Sequence, residues 1–228
     1  GNSGTKAFSI HSTCLGFLAA LDVAATYIEA GKHQRILITG AEIASVGLDM
    51  NSPESAALFG DMGTAAVVSA ARGTGSVLGS LVFETYGDGA DLCRITGGGP
   101  YWLQDPPERG HEDSVFRMDG PAVFRLAIKY FPTLLDRALQ IAGVEQSDID
   151  ILVPHQASLH GLRAIPRKWG FPDDRVMVNI GRFGNCISCS LPGALFDAVE
   201  EGRIKRGDTV MLAGSGAGVS LAAAVLTW

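Results

Sequence analysis

The sequence predicts an α/β layered fold, and three observations support this prediction. Predicted helices and strands alternate along most of the 228 residues, which is typical of sheets covered by helices. Hydrophobic residues make up 46% of the chain and charged residues 18%, so the chain buries most of itself or oligomerises. A helix, a turn and a strand within residues 15–40 are echoed weakly at 194–214, which indicates two related halves, 1–119 and 120–228.

The elements of the first half follow from apolar spacing and glycine stops. Apolar residues three and four apart predict a helix over 15–30, which Gly31 ends. Short β-branched runs predict a strand at 7–10 and buried strands at 35–39 and 64–68. The glycine- and proline-rich stretch 87–120 is predicted to be a surface excursion inserted in this half.

The second half opens with the longest predicted helix. Pro121 suits a first helical position, and an apolar stripe continues from it to near Gly143, with a kink expected at Pro132. The same patterns predict the remaining elements, which are strands at 149–153, 176–179, 209–213 and 219–226 and helices at 158–169 and 191–201.

Charge and cysteine content exclude several classes of function. A net charge of -6 gives the molecule no general attraction for DNA, RNA or anionic lipid. No apolar run approaches the roughly 20 residues of a membrane-spanning helix, and the first residues lack a secretory signal, so we expect a cytoplasmic protein. Cys186-x-x-Cys189 has no second ligand pair for zinc, so the four cysteines are interpreted as reduced thiols.

Three residues capable of chemistry lie next to predicted elements. Cys14 is at the turn into the first helix, where the helix dipole favours a nucleophilic thiolate; a buried structural cysteine is the alternative. His155 follows a predicted buried strand, the usual place for α/β sites, although backbone groups alone can satisfy such a histidine. Asn185 follows Gly184, where an asparagine in a left-handed turn is the alternative.

Together these residues suit acyl transfer to sulfur and stabilisation of an enolate formed from a second thioester. Six motifs in this order resemble the β-ketoacyl-acyl-carrier-protein synthase III family of the thiolase fold over about residues 7–228. The motifs are Thr13-Cys-Leu-Gly-Phe17, Phe59-Gly-Asp-x-Gly63, Pro154-His-Gln-Ala157, Asn179-x-x-x-x-Gly-Asn185, Gly202-Arg-Ile-Lys-x-Gly207 and Gly214-Ser-Gly-Ala-Gly218.

The resemblance implies a layered αβαβα fold of two similar halves, a homodimer, and no metal or redox cofactor. It implies that Cys14 accepts an acyl group from acyl-CoA, and that His155 and Asn185 assist decarboxylation of malonyl-acyl-carrier protein before the condensation. The backbone N–H groups of Cys14 and Ala217 are the implied oxyanion donors. The pathway implied is fatty acid or related secondary-metabolite biosynthesis.

Substrate contacts are predicted at the aromatic-basic pair Phe124 and Arg125, at Ser158 and at Ser215. Ser158 stands where the family commonly has asparagine, and Ser215 with Ala217 alters the expected shape of the acyl pocket. The excursion at 97–119 is longer and richer in proline than in the simplest initiating synthases, which favours a specialised acyl donor.

The first half lacks the opening of the second, so we expect this chain to be missing an N-terminal segment of the family. Another polypeptide supplying that segment is one expectation. Two other functions remain open: a non-catalytic or partner-dependent subunit that keeps the fold for assembly, and a relative that joins two acyl chains without decarboxylation.

Overall fold

The computed structural model describes residues 4–48, 56–73, 75–95, 97 and 116–228. Helices and strands alternate within these ranges, with short 3-10 turns at several connections. The strands are β1 Arg35–Ile43, β2 Asp61–Ser69, β3 Val77–Thr85, β4 Cys93–Ile95, β5 Phe116–Met118, β6 Ile151–Pro154, β7 Thr209–Gly216 and β8 Ser220–Thr227. The helices are α1 Gly16–Glu29, α2 Gly120–Ala142, α3 Leu159–Trp169, α4 Ile180–Phe183 and α5 Ser190–Glu200.

A four-stranded sheet in the order β3-β8-β7-β6 forms the centre of the described structure. Strand β6 runs parallel to β7, whereas β8 is antiparallel to both β7 and β3. All four residues of β6 and the first six of β8 are buried, because helices cover both faces of the sheet.

The two faces of this sheet belong to two separate hydrophobic cores. Successive residues of a strand point to opposite faces, so Leu152 packs with α2 and α3 while its neighbours Ile151 and Val153 pack with α1 and α5. Strand β8 divides in the same way, with Ala223 in the first core and Ala222 in the second. The continuous apolar runs of these strands therefore contribute side chains to both cores.

A second sheet lies beyond α1 and α5. Strands β1 and β2 pair antiparallel over nine residues, and their inner faces contact α1 and α5. The described part of the chain therefore has four layers in the order α, β, α, β. The layers repeat one motif, since α1 leads to β1 and β2 just as α5 leads to the antiparallel pair β7 and β8.

The prediction that β1 and β2 are buried strands is wrong, because each has one exposed face. Exposed and partly buried residues alternate along both strands. The outer face carries large apolar side chains at Leu37, Ile43 and Val67, which are 63%, 64% and 67% exposed. Within the described residues no helix covers this face.

Two of the predicted strands are absent. Residues 7–10 form no regular secondary structure, and Val176 makes only an isolated bridge to Leu152. Strand β3 was not predicted, although it forms one edge of the central sheet. Of the predicted excursion at 87–120, the structure describes a turn at Gly87–Gly89 and the β4–β5 pair, and most of the rest lies outside the described residues.

Helix α2 forms from the signals that predict it. The Asp119 carboxylate accepts a hydrogen bond from the Ala122 N–H at 2.9 Å, Pro121 occupies the first turn, and Gly143 ends the helix at a φ of 70°. Pro132 lies inside this single helix. None of the helices that the structure describes is both long enough and apolar enough to span a membrane.

Candidate active site

Cys14 lies in a strained turn at the start of α1. Thr13–Leu15 form a single 3-10 turn, and Thr13 has a φ of 46°. Positive φ is unfavourable for a β-branched residue, and such strain is concentrated at functional sites. Leu15 is buried and anchors the turn in the core between the two sheets, while Cys14 as a whole residue is partly buried.

Burial, together with the nearby Cys93 and Glu42, raises the pKa of the Cys14 thiol to about 12. The backbone amide of Cys14 lowers the pKa, but by less than these effects raise it. The expectation that the helix start favours a thiolate is therefore wrong for the free protein. Loss of hydration is the largest cause of the raised pKa, and the sulfur rests as a neutral thiol.

His155 directly follows β6, at the carboxyl end of the parallel pairing between β6 and β7. Its backbone N–H donates to the Ala213 carbonyl at 2.7 Å. The imidazole is buried, and its Nδ1 has no hydrogen-bond partner among the described residues. Burial lowers the pKa of His155 to about 4, so the ring is neutral near pH 7.

The Asn185 side chain uses its oxygen to fix its own loop. Oδ1 accepts a hydrogen bond from the Ile187 N–H at 2.9 Å and lies 3.4 Å from the Ser190 hydroxyl oxygen. Nδ2 is 3.5 Å from the Ala157 carbonyl oxygen, at the limit of a hydrogen bond. Because the acceptor end of the amide is occupied, its donor end is the one available to a ligand.

Backbone hydrogen bonds also hold Asn185 in place. Its N–H donates to the Leu58 carbonyl at 2.7 Å, and its carbonyl accepts from the Gly60 N–H at 3.1 Å. A Cβ on Gly60 would lie 1.9 Å from the Phe183 carbonyl oxygen, and Gly184 has a φ of 70°. Both positions therefore require glycine, which explains the glycines of two of the sequence motifs.

The three predicted residues lie on segments that meet at one end of the central sheet. A Cβ on Gly214 would approach His155 Cβ at 2.8 Å and Leu15 Cδ2 at 3.0 Å, and one on Gly216 would lie 3.6 Å from the Cys14 nitrogen. The turn Ile187–Cys189, just after Asn185, packs against the Thr13–Leu15 turn. The Cys14 and His155 segments thus meet over the same face of β7, where the two glycines place no side chain between them.

A cavity of about 250 Å³ opens beside the Cys14 turn. It is bordered by Thr13, the first residue of the turn, by Gly16, which follows the turn, and by Glu42 and Ser188, whose side chains are hydrogen-bonded to each other. The described lining does not include Cys14, His155 or Asn185.

The other predicted site residues lie on β7, on α2, at the start of α3 and in the β7–β8 turn, with different degrees of exposure. Ala217 lies in the turn between β7 and β8, and Ser215 is on β7 opposite Leu221. Phe124 contacts the His160 ring edge-on at 5.3 Å, while Arg125 is exposed. The Ser158 hydroxyl caps α3 by accepting a hydrogen bond from the Gly161 N–H at 3.1 Å.

Sequence reasoning missed several features of the site. Ile187 has a φ of 51°, a second strained β-branched residue, and no sequence signal marks it. The proximity of Cys93 and Glu42 to Cys14 depends on segments that are distant in the chain, so it could not be predicted from the sequence either. Gln156 stands inside a recognised motif, so the motif itself was the available signal. The described residues contain no cluster of metal-ligating side chains.

The layered α/β architecture, with a cysteine turn against the end of a central strand, is that of the thiolase-like acyltransferases. A family model described as 3-oxoacyl-[acyl-carrier-protein] synthase III matches residues 8–89. The model of the C-terminal part of the same family matches residues 139–228.

Individual relatives agree with these matches. β-Ketoacyl-[acyl-carrier-protein] synthase III of Methylococcus capsulatus is 35% identical over 231 residues, covering 100% of this chain and 69% of that protein. The Erythrobacter litoralis protein of the same name is 38% identical over 230 residues, again covering 100% of this chain and 69% of that protein.

Solved structures show the same likeness. The synthase III from Thermus thermophilus superposes with a TM-score of 0.87 at 38% identity, covering 97% of this chain and 67% of that one. The priming β-ketosynthase of the R1128 polyketide pathway gives a TM-score of 0.87 at 30% identity, covering 96% of this chain and 65% of that one.

The chain belongs to the 3-oxoacyl-[acyl-carrier-protein] synthase III family. The family and the layered fold predicted from the sequence are confirmed, as is acyltransferase activity that condenses acyl-CoA with malonyl-acyl-carrier protein in fatty acid or related biosynthesis. The chain spans 69% of the length of the first of these relatives.

Proposed function

We propose that this chain carries out its condensation through an acyl-Cys14 intermediate, with His155 and Asn185 stabilising the enolate. The observation that supports this assignment best is the meeting of the Cys14 and His155 segments across Gly214 and Gly216 of β7. Two groups separated in sequence by 141 positions (155 − 14) thereby face one sheet edge, where α/β proteins bind their ligands.

In the first half-reaction, the Cys14 sulfur attacks the carbonyl carbon of acyl-CoA. The C–S bond to coenzyme A breaks, and the thiol proton of Cys14 ends on the departing coenzyme A sulfur. Because burial raises the pKa of Cys14 to about 12, deprotonation must accompany the attack rather than precede it. The pKa of His155 is lowered to about 4, which makes its imidazole a weak base, so we assign His155 to the second half-reaction as a neutral hydrogen-bond donor.

In the second half-reaction, malonyl-acyl-carrier protein loses carbon dioxide and leaves an enolate at its thioester carbonyl. Donors from His155 and from Asn185 Nδ2 stabilise the oxyanion of that enolate. Its α-carbon then attacks the acyl-Cys14 carbonyl, and Cys14 leaves as a thiolate that regains a proton. The occupied Oδ1 of Asn185 supports this role, since it leaves the amide nitrogen, with one long contact to the Ala157 carbonyl, as the end that can donate.

The tetrahedral intermediates on Cys14 need donors of their own. We assign these to the backbone N–H groups of Cys14 and Ala217, because β7 leads directly into the turn that carries Ala217 and packs against the Cys14 turn. Losing one such donor typically reduces kcat by about 10²–10³-fold. No step of this proposal requires a metal or a redox cofactor.

Phe124, Arg125, Ser158 and Ser215 remain the proposed substrate contacts. Phe124 and the exposed Arg125 lie on α2, next to the start of α3 that Ser158 caps. An exposed guanidinium suits a phosphate or acidic group of the incoming carrier, and an aromatic ring suits its pantetheine arm. Ser215 on β7 is proposed to shape the acyl pocket.

We also propose partners for the exposed face of β1 and β2. Large apolar side chains on an uncovered sheet face favour coverage by further polypeptide. That polypeptide is either a segment equivalent to the third of the relatives' length that this chain does not span or a second subunit in a homodimer. The same observation favours the second candidate function, a subunit that depends on a partner for activity. We place the protein in the cytoplasm.

Mass spectrometry of the intact chain after incubation with acetyl-CoA or longer acyl-CoA tests the proposal. We expect one acyl adduct, mapped to Cys14, which disappears in Cys14→Ala. Cys93→Ala is the matched control, because Cys93 is also partly exposed and near the site; it should retain the adduct. If the folded chain forms no adduct, either alone or mixed with the polypeptide proposed to cover β1 and β2, the acyl-cysteine mechanism is excluded.

A further inference from the structure

The Gln156 side chain is buried, with 1% of its surface exposed, and every hydrogen-bonding position of its amide is occupied. Nε2 donates to the carbonyl oxygens of Pro154 at 2.8 Å and Met177 at 3.2 Å. Oε1 accepts from the N–H groups of Asn179 at 2.9 Å and Ile180 at 3.1 Å. Two donors and two acceptors are the full capacity of a primary amide, so this side chain has one defined orientation.

These four bonds join the two segments that carry His155 and Asn185. Gln156 directly follows His155, and one of its bonds closes back onto Pro154 just before it. The Asn179 and Ile180 amides open the four-residue helix α4, which leads through Gly184 to Asn185. Gln156 thus links the segments of the two proposed enolate donors, in addition to the contact of Asn185 Nδ2 with the Ala157 carbonyl at 3.5 Å.

The far end of this connection is anchored as well. The Asn179 Nδ2 donates to the buried Asp197 carboxylate of α5 at 2.8 Å, and the Arg182 guanidinium contacts the same oxygen at 3.1 Å. Asp197 thus anchors α4 to α5 on one side and Gln156 holds its first turn on the other, so removal of the Gln156 bonds leaves the start of α4 held on one side only.

We infer that Gln156 is a positioning residue that sets the spacing between the His155 and Asn185 donors. This inference rests on the proposed function, in which those two donors stabilise the same enolate. Gln156 touches no substrate in this scheme, because all four of its hydrogen bonds go to backbone atoms and its side chain is buried.

The test uses Gln156→Met, which keeps the length of the side chain and removes all four hydrogen bonds. A misplacement of about 1 Å in a catalytic group reduces rates by about 10²-fold. We expect kcat for malonyl-acyl-carrier protein decarboxylation to fall by about that factor, with KM little changed. Acylation of Cys14 by acyl-CoA should stay within about two-fold of the parent chain, because Gln156 has no bond to the Cys14 turn.

Gln146→Met is the matched control. Gln146 is partly buried and donates one hydrogen bond to the Trp169 carbonyl at 2.8 Å, between segments 23 positions apart. Its loss should leave both half-reactions unchanged. Where Gln156→Met does not fold, Gln156→Glu serves instead, since a carboxylate keeps the two acceptor bonds and loses the two donor bonds.

A crystal structure of the variant separates this inference from the proposed function. We expect the Asn185 amide to shift by at least about 0.5 Å relative to His155, whatever the chain catalyses. An unshifted Asn185 would overturn the inference, as would equal losses in the two half-reactions. If instead the parent chain neither acylates Cys14 nor decarboxylates a malonyl thioester, the proposed function fails, while the crystallographic result still decides the role of Gln156.

Discussion

The Asn185 side-chain oxygen accepts a hydrogen bond from the backbone N–H of Ile187 at 2.9 Å, two residues further along the chain. Ile187 has a φ of 51°, and this bond is one interaction that offsets the strain of that conformation. The amide of Asn185 is consequently oriented by its own loop. The side-chain oxygen therefore has a structural function, the side-chain nitrogen has the proposed chemical function, and the two functions can be tested separately.

We predict that Asn185→Asp keeps the turn and loses the chemistry. An aspartate oxygen can still accept the Ile187 N–H, but the group that replaces Nδ2 cannot donate to an enolate oxygen. Malonyl decarboxylation should fall by about 10²–10³-fold, while acylation of Cys14 continues. Decarboxylation is followed with radiolabelled malonyl-acyl-carrier protein and acylation by mass spectrometry. Parent-level decarboxylation by Asn185→Asp would mean that the amide nitrogen has no such role.

The second prediction concerns the ionisation of Cys14. Because burial, Cys93 and Glu42 raise its pKa to about 12 from an ordinary 9.0, the thiolate fraction near pH 8 is roughly a thousand-fold smaller than for an ordinary thiol. The rate of Cys14 alkylation by iodoacetamide should rise about tenfold per pH unit from pH 7 to 10. Peptide mass spectrometry measures this rate site by site. Restricted access slows alkylation at every pH without moving its midpoint, so a plateau above pH 9 would contradict the prediction.

The third prediction links His155 to acid stability. Burial lowers its pKa from 6.5 to about 4, so between these values the unfolded chain binds a proton that the folded chain does not. The free energy of unfolding therefore decreases as the pH falls from 6.5 to 4, by about 3 kcal/mol from this group. His155→Gln cannot titrate, and its loss of stability between pH 7 and 4 should be smaller by about that amount. Urea denaturation at both pH values measures the difference, and equal losses would refute it.

The sequence predicts those elements of this fold whose signals are local. Helix α1 was predicted at 15–30 and is observed at Gly16–Glu29, because its apolar spacing and the glycine that follows it act within one segment. The strand predicted at 7–10 is not observed, because strand formation does not depend on local signals alone. A strand exists through hydrogen bonds to a neighbour, and a four-residue apolar run contains no information about whether that neighbour is present.

The features of the candidate site also divide into those that local sequence signals predict and those that depend on distant segments. Cys14, His155 and Asn185 could be singled out because each adjoins a helix, strand or turn that the sequence predicts. The pKa of Cys14 could not, because it depends on burial and on Cys93 and Glu42, which approach from other parts of the chain. The bonds from Gln156 to Asn179 and Ile180 span 23 and 24 positions, and only the folded chain brings these groups together.

The last prediction tests whether the close approach at β7 matters for catalysis. A methyl group on Gly216 would lie 2.7 Å from the Thr13 hydroxyl oxygen and 3.3 Å from Leu15 Cγ, so we expect Gly216→Ala to displace these two side chains and, with them, the strained Thr13–Leu15 turn. Cys14 acylation should fall by about 10²-fold, because displacement of a nucleophile by about 1 Å has an effect of that size. Gly181→Ala is the control, since a methyl group there meets nothing within 4 Å; it should acylate at the parent rate. Full acylation of folded Gly216→Ala would show that the turn tolerates displacement, and the proposed oxyanion donors at Cys14 and Ala217 would then lose their geometric support.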